Sequence, residues 1–202
     1  MASHVLSEYD ALHTIYSRRA VRAYRPEQPS DSVIRELLDA AVQAPTAMHL
    51  EPWGFVVIQD KARLRRYSDR AKAMLLEPSV AVGWGSAVGR SRHEHLTMLS
   101  DPAFNIFYDA GTLIIVCRRT GGAFADADCW LAAQNLMLAA TAKGLGSCCI
   151  GFAVGVLNAP DVKRELGIAD EGAAVAPIIV GAAQDAVPRV PRKAPQILKW
   201  VR

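Results

Sequence analysis

The stretch "AAVQAPTAMHLEPWGFVV", Ala40 to Val57, decides how this chain is read. Its first residues finish a helix. Upstream, "PSDSVIRELLDAAVQAP" offers Ser30 as N-cap, Asp31 in the first turn, and Ile34, Leu37, Leu38 and Ala41 at helical spacing, and Pro45 stops the run. Its last residues open "GFVVI" (54–58), short, apolar and β-branched, which reads as a buried strand.

Further elements alternate outward from this stretch. "LSEYDALHTIYSRR" has Ser7 as N-cap and puts Leu12, Ile15 and Tyr16 on one helical face. Asp60 can cap a helix carrying Leu64, Ala71, Met74 and Leu75, whereas Glu77 to Asn105 has no clear period and reads as a loop or loosely helical excursion. "TLIIVC" (112–117) is a second buried strand. "DADCWLAAQNLMLAATAKGLG" is the strongest helix: acids lead it, Gly144 and Gly146 stop it, and apolar residues nearly surround it, which predicts a central position. "SCCIG" is a small strand, and "NAPDVKRELGI" a short helix with Asn158 as its cap, Pro160 in the first turn and Gly167 at its end. "AAVAPIIVG" is the last strand, and the tail from Ala182 to Arg202, with Pro188, Pro191 and Pro195, extends away from it. Without repeats, low-complexity tracts or a linker, residues 1–202 read as one α+β domain with helices around a small sheet.

Composition bounds the function. The chain has 202 residues, 51% hydrophobic and 21% charged, which is globular. A net charge of +3, with no basic stripe interleaved with aromatics, is too small to argue for a nucleic-acid partner, and none is expected. No apolar run is long enough to span a bilayer, and the first residues lack a signal-peptide layout, so a membrane partner is not expected. Cys117, Cys129, Cys148 and Cys149 form no disulfide framework, which suggests a reduced, cytoplasmic setting.

The charge is uneven. "SRRAVRAYRP" (17–26) concentrates Arg18, Arg19, Arg22 and Arg25. Such a cluster suits a solvated helix end, a nucleic-acid contact or a phosphate site, since arginine presents planar paired donors that match phosphate oxygens. Alone, the cluster does not choose between them.

Taken with Ala40–Val57, it does. The pair resembles the nitroreductase family, whose members carry an R-R-S-V-R-x-[FY] segment, then a helix, then an A-P-S-x-x-N-x-Q-P-W-x-F-like turn and strand. Here these read Arg18-Arg19-Ala20-Val21-Arg22-Ala23-Tyr24 and Ala44-Pro45-Thr46-Ala47-Met48-His49-Leu50-Glu51-Pro52-Trp53-Gly54-Phe55. "AAQNLMLAATAKGLGSCCIG", "APIIVG" and "VPRKAPQILKW" resemble the family's central helix and turn, last core strand and basic tail, so the likeness runs from Tyr16 to Trp200.

The resemblance implies a small mixed β-sheet surrounded by helices, and a homodimer with flavin mononucleotide (FMN) at the subunit interface, the tail 182–202 reaching the partner subunit. Carried over by position, Arg18 and Arg19 hold the phosphate with backbone from Ala20, and Arg192 and Lys193 complete its cage. Arg22 lies towards the pyrimidine end of the ring, where a cation stabilises the charge of the reduced state. The turn Pro45, Thr46, Ala47 and residue His49 approach from the other subunit. Cys149, Ile150 and Gly151 line the ring face, with a backbone N–H there or in the neighbouring segment near N5. Arg25 is a surface residue. Three positions depart from the pattern: Ala20 replaces serine and removes a hydroxyl, His49 stands where asparagine is commoner, and Glu51 adds a charge where glutamine is frequent.

The implied activity is hydride transfer from NADPH or NADH, through bound FMN, to a nitroaromatic, quinone or similar acceptor, in two half-reactions. Alternatives on the same fold are a reductive dehalogenase, a flavin-consuming biosynthetic protein, or a flavin-binding sensor that does not turn over. No side chain need act as nucleophile or general acid. The acceptor pocket would lie under the Glu77–Asn105 excursion, with Trp84, Phe104 and Phe107. The remaining constellations point elsewhere. "SRHEHL" reads as a polar loop rather than a metal site, a Cys148–Cys149 disulfide would be strained, Trp53 and Phe55 read as core, and no G-x-G-x-x-G follows a strand.

Overall fold

Leu113, Ile115 and Cys117 point to one side of the strand Thr112–Arg118, Ile114 and Val116 to the other, and all five are buried. A strand apolar at both parities must be covered on both faces, and this requirement arranges the rest of the molecule. The computed structural model describes residues 11–77 and 92–202.

The strands are β1 (Trp53–Ile58), β2 (Thr112–Arg118), β3 (Gly146–Cys149) and β4 (Ala173–Gly181), in spatial order β1-β2-β4-β3. Each adjacent pair is antiparallel, and β2 and β4 slip register between Val116 and Cys117. The sheet is therefore antiparallel rather than mixed. The parallel component is an isolated bridge from Ala20 to Ser147 on the outer edge of β3, which lies outside the four strands.

The helices are α1 (Ala11–Ser17), α2 (Asp31–Ala41), α3 (Lys61–Leu76), α4 (Arg92–Ser100), α5 (Ala125–Ala142), α6 (Val154–Leu157) and α7 (Pro160–Glu165). One face of the sheet is covered by α2, through Ile34, Leu37 and Ala41, and by α5, through Cys129, Ala132, Ala133, Leu136 and Ala140, with Trp53 between. The other face meets α3, through Leu64, Tyr67 and Ala71, together with Ile106, Phe107 and the short α6–α7 pair. Each buried Leu or Ile stabilises by roughly 1.5–3 kcal/mol, so these two layers supply most of the cohesion. Ser30 and Asp60 cap α2 and α3 as the sequence predicts, accepting from Val33 N at 3.4 Å and Arg63 N at 3.0 Å. Trp53 is core and Phe55 packs beside it.

Four further expectations change. The expected apolar face of α1 points outward: Leu12, Ile15 and Tyr16 are exposed and the buried residue is Thr14. Helix α5 is central on one side only, since Trp130 and Leu131 remain 46% and 45% exposed. Asn158 does not cap α7, whose N-cap is Ala159. Instead its side chain donates to the carbonyls of Val154 and Ala174, both at 2.9 Å, and accepts from Ala174 N at 3.0 Å, tying the end of α6 to β4. The excursion after α3 holds a regular helix, α4; Ser7 and Trp84 lie outside the described residues. Among the described residues no helix is long and apolar enough to cross a membrane.

A glycine sets how closely the arginine segment approaches the sheet. A Cβ on Gly146 would lie 2.6 Å from Val21 Cγ2, inside any real contact distance. Replacing Gly146 by Ala is expected to destabilise by about 1–3 kcal/mol, the usual cost of overpacking. Adding Val21→Ala should recover part of that loss, because the clash is with the valine methyls. Urea unfolding midpoints of the two single variants and the double variant check this; strictly additive losses would mean that Gly146 serves something other than this approach.

Candidate functional site

The arginine segment runs along the outer edge of β3. Val21 N donates to Ser147 O at 3.1 Å, and further along Arg25 N donates to Ala182 O at 2.9 Å and Gln184 N to Ala23 O at 3.0 Å. The segment is thus wedged between β3 and the start of the tail. Val21 and Tyr24 are buried, the Tyr24 hydroxyl donating to Val21 O at 2.8 Å, while Arg22 and Arg25 face out. Burial drives the Tyr24 hydroxyl pKa far above its ordinary value, which leaves it a neutral structural donor.

Among the clefts that open beside this segment, two gather the predicted residues. The first, of about 250 Å³, is lined by Ile15, Tyr16, Arg18, Arg19, Arg189, Val190 and Arg192. Among the described residues, four guanidinium groups and no carboxylate border it, the donor set of an anion site. Arg19 is partly occupied by its own backbone: its Nη1 donates to Tyr16 O and Arg18 O, both at 2.7 Å, closing the carbonyl end of α1. The second cleft, of about 340 Å³, is lined by Arg22, Ile106, Tyr108, Cys148, Cys149, Ile150, Gly151 and Phe152. Among the described residues its walls are apolar, aromatic or thiol, and Arg22 is the single charge that lines it. Ile150 N donates to Pro177 O at 2.8 Å, which fixes the turn after β3 against β4 and presents Cys149–Gly151 to the cleft.

The sequence-predicted residues divide accordingly. Arg18, Arg19 and Arg192 meet in the first cleft; Arg22, Cys149, Ile150 and Gly151 meet in the second. Ala20 lies between, bridging to Ser147. Lys193 and the turn Pro45, Thr46, Ala47 and His49 line neither. That turn is held elsewhere. Ala47 N donates to both carboxylate oxygens of the buried Asp128 at 3.3 Å, and Met48, His49 and Glu51 adopt left-handed backbone with φ of 54°, 55° and 42°. Three non-glycine residues in that region within four positions are uncommon, and such strain gathers at binding turns. Phe107 does not line the second cleft, being fully buried in the core, while Phe104 stacks edge-on against Tyr108.

Arg189, Tyr108 and Phe152 were not singled out by sequence. A signal for Arg189 was present: "VPRVPR" favours a three-residue repeat, which sets Arg189 and Arg192 on one side of an extended tail. Tyr108 and Phe152 carry no such sign.

The thiols are quiet. All four cysteines are unpaired. Burial, with the neighbouring Cys148, pushes the Cys149 thiol up to about 11. Burial also raises Cys148, against the opposing charges of Arg22 and Arg18. Both are protonated near neutral pH and poor nucleophiles. Among the described residues no group of His, Cys, Asp and Glu is arranged to hold a metal ion.

Comparison with known proteins gives this geometry a family. A provisionally named NADH dehydrogenase/NAD(P)H nitroreductase of Archaeoglobus fulgidus is 28% identical over 143 residues, covering 70% of this chain and 67% of that protein. The nitrobenzene nitroreductase of Ectopseudomonas oleovorans is 27% identical, with 86% of this chain and 87% of that one covered. Among solved structures, the nitroreductase with bound FMN from Bacteroides fragilis superposes with a TM-score of 0.77 at 25% identity, covering 96% of this chain and 98% of that one. The sequence profile of the nitroreductase family matches residues 15–182, from the helix before the arginines to the end of the last strand, and the chain belongs to that family.

Proposed function

We propose that the chain is an FMN-dependent oxidoreductase that moves reducing equivalents from NADPH or NADH to a small oxidised acceptor such as a nitroaromatic or a quinone. The observation that carries this reading is the pair of clefts joined by one backbone segment. A cleft bordered by arginines suits a phosphate, and a few residues along, an apolar cleft with one cation suits a planar ring. The donor chemistry of both fits FMN.

Arg18, Arg189 and Arg192 would hold the phosphate, with Arg19 adding its charge while anchored to the end of α1. Cys149, Ile150 and Gly151 would form one wall of the ring site, with Ile106 and Phe152 excluding water. Arg22 would place its positive charge at the ring and favour the state carrying negative charge. When bound, FMN supplies the two-electron chemistry itself. No nucleophile is required of the chain, in keeping with thiols that stay protonated.

We further infer a homodimer in which the partner supplies the turn Pro45–His49. The turn is strained and lies outside both clefts, and Leu12, Ile15, Tyr16, Trp130 and Leu131 leave apolar surface for a second copy to cover. The unpaired cysteines suit a reduced compartment, and we place the protein in the cytoplasm.

Purified protein is expected to be yellow and dimeric, to bleach with NADPH or NADH under anaerobic conditions, and to recolour when a nitroaromatic or quinone is added. A yellow protein that neither nucleotide bleaches would be a flavin binder rather than this enzyme, and a monomer with a full complement of flavin would remove the partner's turn from the site.

Arg18→Ala should weaken FMN binding about tenfold to a hundredfold, since a charged hydrogen bond contributes roughly 1.5–3 kcal/mol, and leave riboflavin binding nearly unchanged. Arg189→Ala should act in the same direction and Lys193→Ala much less. Calorimetric titration with both ligands checks the set; equal weakening of FMN and riboflavin would assign Arg18 to the fold.

A further inference from the structure

We propose that Tyr108 positions Arg22: the tyrosine ring is the platform on which the guanidinium rests in the apolar cleft, and it thereby sets the charge that a bound ring meets. The proposal rests on the FMN reading above.

The geometry is specific. Arg22 Cζ lies 5.9 Å from the centroid of the Tyr108 ring, within the range of cation–π attraction, and both residues line the same cleft. Among the described residues the Arg22 side chain forms no hydrogen bond or ion pair, although it projects from an exposed position. A long, exposed arginine without a carboxylate partner samples many rotamers. The aromatic face is the contact that narrows them.

The platform itself is fixed. Tyr108 N donates to Asn105 O at 2.8 Å, Phe107 N to Asn105 Oδ1 at 3.0 Å, and Ala110 N to Phe107 O at 3.0 Å. Asn105, itself buried, donates through Nδ2 to Asp109 Oδ1 at 2.8 Å. This knot holds Tyr108 and Asp109 in left-handed backbone, with φ of 52° and 54°, where a bulky residue is rarely found. The Phe104 ring meets Tyr108 edge-on at 5.6 Å and 79°, a favoured aromatic arrangement. The knot is pinned in turn to α3. Ile106 N donates to Ser68 Oγ at 3.0 Å, and the buried Lys72 donates to Asp101 O at 3.2 Å and Phe104 O at 2.8 Å. The Tyr108 ring is therefore referenced to the sheet-covering helix, and Arg22 is referenced to the ring.

The test compares the midpoint potential of bound FMN in the parent protein, Tyr108→Asn, Tyr108→Phe, Arg22→Gln and the Arg22→Gln/Tyr108→Asn double variant, with oxidised-FMN affinity and thermal melts alongside. Asparagine tolerates left-handed backbone, so Tyr108→Asn removes the ring without adding strain; Tyr108→Gly replaces it should that variant fail to fold. Tyr108→Asn is expected to lower the ratio of reduced to oxidised FMN affinity about threefold to tenfold, or about 14–30 mV for a two-electron couple. Tyr108→Phe should keep the parent potential, and in the Arg22→Gln background the loss of the ring should add nothing. An unchanged potential in Tyr108→Asn, or a fall that persists without Arg22, overturns the proposal while leaving the FMN reading intact. A parent protein that binds no FMN overturns both.

Discussion

The hydrogen bond from Val21 N to Ser147 O, 3.1 Å long, joins the arginine segment to the edge of the sheet. It forms because Gly146 has no side chain to hold Val21 away. Once the segment lies on that edge, the alternation of an extended chain turns Val21 into the core and Arg22 outward. The same attachment brings Arg22 beside Cys148–Phe152, while Arg18 and Arg19 remain with α1. Two clefts of opposite character therefore share one piece of backbone, and their separation is set by covalent geometry rather than by flexible side chains.

Behind that edge, cohesion comes from a sheet buried on both faces. Its two central strands, β2 and β4, carry apolar residues at both parities, so a helical layer is required on each side. The two layers divide the labour. The α2–α5 layer packs with small residues, chiefly alanines of α5, which bring the helix close to the sheet. The α3 layer is larger and includes the knot that carries Tyr108, so the face opposite α5 reaches the second cleft. The apolar residues left over, on α1 and the far side of α5, are not buried by any other element among the described residues.

Much of this was legible. Ser30 and Asp60 announced two helix starts, the β-branched runs announced the sheet's apolar strands, and the arginine segment together with Ala40–Val57 announced the family. These signals are local: a cap needs its own helix, and a buried strand shows in its own composition. The errors have a common origin. By its local sequence Asn158 is a cap, but cap residues are also good strand ties, and the choice depends on whether Ala174 comes within reach. The composition of helix α5 places it in the interior, because apolar residues demand cover without saying whether the same chain provides it.

The sequence by itself determined most of the elements, the two-sided burial of the sheet and the basic character of the segment beside it, because periodicity, capping and residue chemistry act over a few positions. Only the tertiary structure decided that the sheet is antiparallel, that Arg189 joins Arg18 and Arg192, that Arg19 spends part of its hydrogen bonding on α1, and that Tyr108 lies beneath Arg22. These facts depend on contacts between residues far apart in the chain, and on a left-handed tyrosine whose backbone is held by Asn105 and its neighbours. Strand direction follows from how the connections cross the sheet, and a ring's position follows from the packing beneath it. Neither leaves a mark on the residues nearby.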